Sequence, residues 1–146
     1  MSTPTFKNEI LIGNQYPKEL VSRINSATKN IYVFMYDWRW YKNDFSCEMS
    51  LINQALVRAV RRGVKVYAIL NSNEVIETLL SVGINAKKFN NKQLMHAKAV
   101  VIDEWVSIIG SHNFSESAMG LNLEISRVDE DETNAKKIIS YFLSLV

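Results

Sequence analysis

Two apolar runs separated by one acidic pair constrain this chain more than any other feature. Leu94 to Ile102 is apolar and rich in branched residues apart from His96 and Lys98, and Trp105 to Ile109 is apolar again. Asp103-Glu104 between them suits a reversal, so the runs read as antiparallel strands of one hairpin. Strand side chains alternate faces. That puts His96, Lys98 and Val100 on one face and Met95, Ala97, Ala99 and Val101 on the other. An imidazole and an ammonium two residues apart on one face can converge on a single bound group. Gly110-Ser111 ends the second run close to where His96 and Lys98 emerge. Backbone N–H groups, Ser111 and Asn113 can donate hydrogen bonds to phosphate oxygens there.

The rest of the chain alternates strand and helix signals. Ile10 to Ile12 reads as a short strand, and Pro17 suits helix position N1 ahead of Leu20, Val21 and Ile24. Ile31 to Tyr36 reads as a buried strand. Glu48 to Arg62 is the clearest helix, with Leu51, Ile52, Ala55, Leu56, Ala59 and Val60 at helical spacing and Gly63 to end it. Val64 to Leu70 is a further strand, and Ser72 or Asn73 can cap a helix running to Gly83. Ile84 to Ala86 forms a short strand. Beyond the hairpin, Ser115 can cap a short helix, Leu123 to Val128 is strand-like, and Asp131 to Leu145 closes as a helix. This order predicts an α/β fold: a mixed β-sheet flanked by helices on both faces.

Composition fits one domain spanning residues 1–146. The chain is 47% hydrophobic and 22% charged, which is ordinary globular usage. No apolar run approaches the roughly eighteen residues of a membrane span. The stretch Met1 to Asn8 has no basic region leading into an apolar one, so no secretory leader is expected and a cytoplasmic location follows by default. A formal charge of +2 permits a nucleic-acid partner without requiring one. Two histidines and the single Cys47 offer no zinc-ligand spacing, so no metal and no cofactor is expected. Ser111 with His96 and Asp103 suggests a serine hydrolase only superficially, because no GxSxG elbow is present.

The pattern HxKxxxxD followed by GSxN, here His96, Lys98, Asp103, Gly110, Ser111 and Asn113, resembles the signature of the phospholipase D superfamily, the HKD motif. Glu124 stands where that family carries a downstream acidic residue. The likeness is to the short, single-motif bacterial endonuclease branch, and all six signature positions match. It implies a phospholipase D-like fold and a phosphodiesterase in which one histidine attacks phosphorus, forming a phosphohistidine, while a second protonates the leaving oxygen. An imidazole with its ordinary pKa of about 6.5 suits both roles. The resemblance makes His96, Lys98 and Glu124 catalytic, with Glu124 accepting from the His96 ring nitrogen that does not attack. Lys98, Ser111 and Asn113 then bind the phosphate. Asp103 and Gly110 are structural members of the motif. The chain has one HxK, and its other histidine, His112, occupies the variable position of GSxN. A two-histidine mechanism therefore requires a homodimer with two His96 side chains facing across the axis.

Three further segments bear on the substrate. Tyr36 to Lys42 interleaves aromatics and cations, and Trp38, Arg39 and Trp40 are candidate nucleic-acid contacts, with packing on the core or at a dimer contact as the alternative. Lys87 and Lys88 can line a phosphate groove. Arg58, Arg61, Arg62 and Lys65 gather at a helix C-terminus, where the dipole favours cations. The reading that follows is a metal-independent endonuclease on DNA, with RNA left open as the alternative substrate, acting without a membrane. A phospholipase D-type lipid enzyme and a catalytically silent nucleic-acid-binding module of the same fold are the alternatives. No helix-turn-helix or zinc-finger reader is visible, so sequence recognition would come from a separate partner protein.

Overall fold

The computed structural model describes residues 7–146, so the N-terminal leader reading falls largely outside the described residues. Seven strands form one mixed sheet in the order β1-β7-β6-β5-β2-β3-β4. In chain order the elements are β1 (Asn8–Ile12), α1 (Gln15–Ser26), β2 (Asn30–Met35), α2 (Glu48–Arg61), β3 (Lys65–Leu70), α3 (Ile76–Ser81), β4 (Asn85–Lys88), β5 (Lys98–Ile102), β6 (Val106–Gly110), α4 (Glu116–Gly120), β7 (Ile125–Glu130) and α5 (Glu132–Ser144). Strands β2, β3 and β4 are parallel and joined through helices; β5, β6, β7 and β1 add antiparallel ladders on one side.

The helices lie on both faces, unevenly. Ile31, Val33 and Met35 of β2 enter the large core with Leu20 and Ile24 of α1 and Ile52 and Leu56 of α2. The alternate residue Phe34 packs under Phe142 of α5 on the other face. A strand buried on both sides has no polar face to show, which is why the Ile31–Tyr36 run is continuously apolar. Helix α5 covers only the middle strands. Ile10, Ile12, Ile109 and Ile125 stay exposed on β1, β6 and β7.

Several expected boundaries move. The run read as a strand from Leu94 is irregular until Lys98, although the Tyr36 N–H donates to Ala97 O and so extends the pairing with β2. Strand β7 begins at Ile125 rather than Leu123. Pro17 is the third residue of α1, not the first; it is tolerated because no helical carbonyl awaits its missing N–H in the first turn. Helix α3 begins only at Ile76, behind a turn in which the Ser72 hydroxyl accepts from the Glu74 N–H. The cap expected at Ser115 forms, and Asp131 caps α5 in the same way, each oxygen accepting a backbone N–H three residues on.

The β5–β6 connection is the three residues Asp103 to Trp105, built on one tight turn. Asp103 and Glu104 have φ of 56° and 59°, and the Trp105 N–H donates to Ile102 O at 3.1 Å. Positive φ at both positions is the geometry whose twist matches paired strands.

Candidate active site

All the chemistry converges at one end of the sheet. Because β5 runs antiparallel to β2, its first residue, Lys98, pairs with the last of β2, Met35. Gly110 ends β6 opposite Ser126, near the start of β7. His96, Lys98, Gly110, Ser111, Asn113 and Glu124 thus line one open depression of about 800 Å³. Parallel strands commonly present ligands at this carboxyl end.

The expected convergence of His96 and Lys98 is present. Lys98 Nζ lies 3.2 Å from His96 Nδ1 and 3.3 Å from Nε2, and donates to the His96 carbonyl at 2.9 Å. The Tyr36 ring packs 4.8 Å from the imidazole, and the ammonium sits 5.4 Å from that ring's centroid. Of the aromatic segment Tyr36 to Lys42, Tyr36 is thus the ring that packs against His96. Its neighbours there come from a strand more than sixty residues away in the chain. Burial holds the Lys98 pKa below its ordinary value, and the nearby Glu124 charge opposes that shift.

The remaining signature residues mostly hold the frame. Asn113 Oδ1 accepts the Asp37 N–H at 3.2 Å, which pins the loop after β2. Its NH₂ is the donor suited to a phosphate oxygen. The Ser111 hydroxyl donates to Glu124 Oε1 at 3.2 Å and accepts the Ile125 N–H at 3.0 Å. Within this chain, then, Glu124 engages Ser111 instead of the His96 ring, and Ser111 already holds two partners. Gly110 is obligatory: a Cβ there would overlap Ser126 Cα and Oγ. Asp103 accepts the Thr28, Lys29 and Asn30 N–H groups, the closest at 2.7 Å, and so closes the α1–β2 loop.

His112, overlooked as a variable residue, is a buried anchor. It is 1% exposed and stacks on Tyr16 with ring centroids 4.2 Å apart. Its Nδ1 lies 2.7 Å from Ser126 Oγ, and its Nε2 lies 2.9 Å from Gly13 O. Only a ring carrying its proton on Nε2 can donate to that carbonyl. Burial lowers the His112 pKa, partly offset by the Gly13 carbonyl and Glu124.

The substrate-contact candidates divide. Trp38 is 3% exposed, donates from Nε1 to Asn53 Oδ1 at 2.9 Å and meets Phe114 edge-on. It is a core residue and cannot stack on a ligand. Trp40 is half-buried against the same core. Arg39 is exposed and paired with Asp37 at 3.1 Å. Lys87 and Lys88 are exposed on the edge strand β4, three ladders from β5. As neighbours in a strand they point to opposite sheet faces, so one groove can take only one of them. Asp44, Cys47 and Glu116 bring ligand-type atoms within 4.8 Å of one another, the group best placed to hold a metal among the described residues. The Asp44 carboxylate there already accepts from Ser46 and Cys47.

Comparison with known proteins follows the same line. Residues 20–146 match the family described as "Cardiolipin synthase, PLD-like domain". A phospholipase D from Rickettsia prowazekii is 29% identical over 137 residues, covering 87% of this chain and 60% of that protein. The chain spans under a fifth of the cardiolipin synthases A of Buchnera aphidicola that it also matches. NucT from Helicobacter pylori superposes with a TM-score of 0.75 at 22% identity, covering 97% of this chain and 96% of that one. Nuc from Salmonella typhimurium, a phospholipase D family member, gives 0.78 at 21%, covering 95% and 94%. With the HKD residues gathered at one sheet end and a family match over nearly the whole length, this chain belongs to the phospholipase D superfamily.

Proposed function

We propose that the protein is a metal-independent endonuclease, cutting DNA and also RNA through a phosphohistidine formed in a homodimeric site. The observation that carries this reading is the open depression in which the His96 imidazole touches the Lys98 ammonium. Such a depression admits a polymer backbone lying across it, and Lys98 and Asn113 are placed to hold phosphoryl oxygens as charge develops. The likeness over the whole chain to proteins named Nuc and NucT accords with it. No described helix is long and apolar enough to cross a membrane.

The chemistry balances only with two subunits. A His96 ring nitrogen attacks phosphorus, forming the P–N bond as the P–O bond to the leaving nucleotide breaks. The partner subunit's His96, protonated, gives the leaving oxygen its proton. Water then attacks phosphorus, the partner subunit's His96 takes the water proton, and the P–N bond breaks. A docking face for the second copy is supported by the exposed isoleucines of the sheet. Ile12 pairs with Ile125, while Ile10 and Ile109 both pair with Arg127, so these isoleucines share one uncovered sheet face. Ile109 also lines the depression, which makes that face continuous with the site. Contiguous exposed apolar surface of this kind marks an association site.

The test is cleavage of single- and double-stranded DNA and RNA in excess EDTA. Cutting that survives chelation and falls at least ~1,000-fold in His96→Asn is the expected result. Turnover retained by that variant, or abolished by EDTA, overturns the reading. A folded protein that cuts no nucleic acid but hydrolyses phospholipid would transfer the same site to a lipid diester.

A further inference from the structure

A second cavity, of about 330 Å³, opens beside the active-site depression, and His96 lines both. Its floor is the buried pair Phe34 and Met95. Phe89, half-buried, and the exposed Leu94 and Tyr141 line it further, together with the exposed carboxamide of Gln93. Apart from His96, none of its lining residues carries a charge. A phosphate therefore has no counter-ion inside it, whereas a planar, weakly polar group meets aromatic surface and an amide able both to donate and to accept. The volume lies at the small end of ligand pockets. That suits one ring system better than a pair of acyl chains.

We propose that this cavity is a nucleobase subsite, receiving the base next to the phosphate held at His96 and Lys98. The inference rests on the nuclease reading and extends it to strand type. Stacking between a base and an aromatic ring is tolerant of sequence, so the subsite adds affinity without reading a base identity. A base inside a duplex has both faces stacked and its pairing edge occupied. Only an unpaired base enters, and single strands become the preferred substrate.

Binding is measured on the His96→Asn protein with a fluorescent oligothymidylate and with an equally long strand of abasic residues. The oligothymidylate binds about tenfold more tightly, a size set by ring stacking. Tyr141→Ala and Phe89→Ala each bring that ratio towards one while leaving abasic binding unchanged, and Tyr141→Phe preserves it. Raising salt weakens both strands together and leaves the ratio standing, because stacking releases no counterions. Equal binding of the two strands overturns the proposal, as does an equal loss on both strands in the alanine variants. Equal binding combined with Tyr141-dependent retention on phosphatidylglycerol vesicles would assign the cavity to lipid instead. Wild-type protein that cuts neither strand would sink the nuclease reading alone, since the binding ratio still reports on the cavity.

Discussion

Lys98 sits under two opposing influences: burial, which disfavours its charge, and Glu124, which favours it. The balance makes a directional prediction. Glu124→Gln removes the favourable charge, so the Lys98 pKa falls further and the ammonium is lost at lower pH. The basic limb of the pH–rate profile therefore moves towards acid, in addition to any loss of rate; an unmoved limb would show that Lys98 does not set it. Glutamine keeps an oxygen that can accept from Ser111, whereas Glu124→Asp keeps the charge on a shorter arm and so tests the Ser111 contact separately. At this scale the sequence was informative about identity and poor about partners. His96, Lys98 and Asn113 were legible because their spacing is rigid in a hairpin. For Trp38 the sequence left ligand contact and core packing open, because an aromatic among charged neighbours fits either. Its true environment comes from Asn53 and Phe114, which the fold brings in from elsewhere.

The hairpin is the element on which the site depends, and Asp103 fastens it to the remainder of the sheet. Its carboxylate gathers N–H groups from three successive residues ahead of β2, the strand that pairs with β5. Asp103→Ala leaves those donors without their acceptor, at a cost of about 1–3 kcal/mol, and denaturant titration should show it. Because the carboxylate touches nothing in the depression, phosphate-ester affinity of the folded variant should stay at the wild-type level. A specific loss of affinity at unchanged stability would mean that Asp103 acts on substrate. Glu104 offers the converse change. At φ 59° it occupies a left-handed position with a Cβ, so Glu104→Gly should slightly raise the melting temperature. The turn was foreseeable from Asp103-Glu104 between apolar runs. The late start of β5 was not, since periodicity continues past the point where the ladder of hydrogen bonds stops.

Over the whole molecule, the uneven covering of the sheet is the decisive property. Helices α1 to α4 serve one face and α5 alone serves the other, leaving Ile10, Ile12, Ile109 and Ile125 in water. Ile125→Glu places a carboxylate in the middle of that face. It should give a monomer by light scattering with the fold retained by circular dichroism, and cleavage should fall with dimerisation. A monomer of full activity would remove the shared-site scheme. The same β1–α1–β7 region is tied by charges: Arg23 bridges Glu19 at 3.0 Å and Glu130 at 2.6 Å. Arg23 holds the Glu130 carboxyl below its usual pKa, so this pair stabilises the fold above the ordinary carboxylate range. Its contribution is lost as pH falls through the lowered value. Glu130→Gln should flatten acid unfolding there, by about 1 kcal/mol or less.

The sequence by itself determined the α/β order, the hairpin, its turn and the spacing that puts His96 and Lys98 on one face, because each rests on local periodicity and fixed spacing. Tertiary structure alone decided what those residues touch. It set β2 against β5, bringing Tyr36 to His96, buried His112 between Gly13 and Ser126, and gave Ser111 to Glu124. It also opened a cavity between α5 and the segment ahead of β5, and left half of one sheet face bare. Those outcomes depend on strand order and on where a helix lands. Pairings between distant segments carry no signature in the residues that make them.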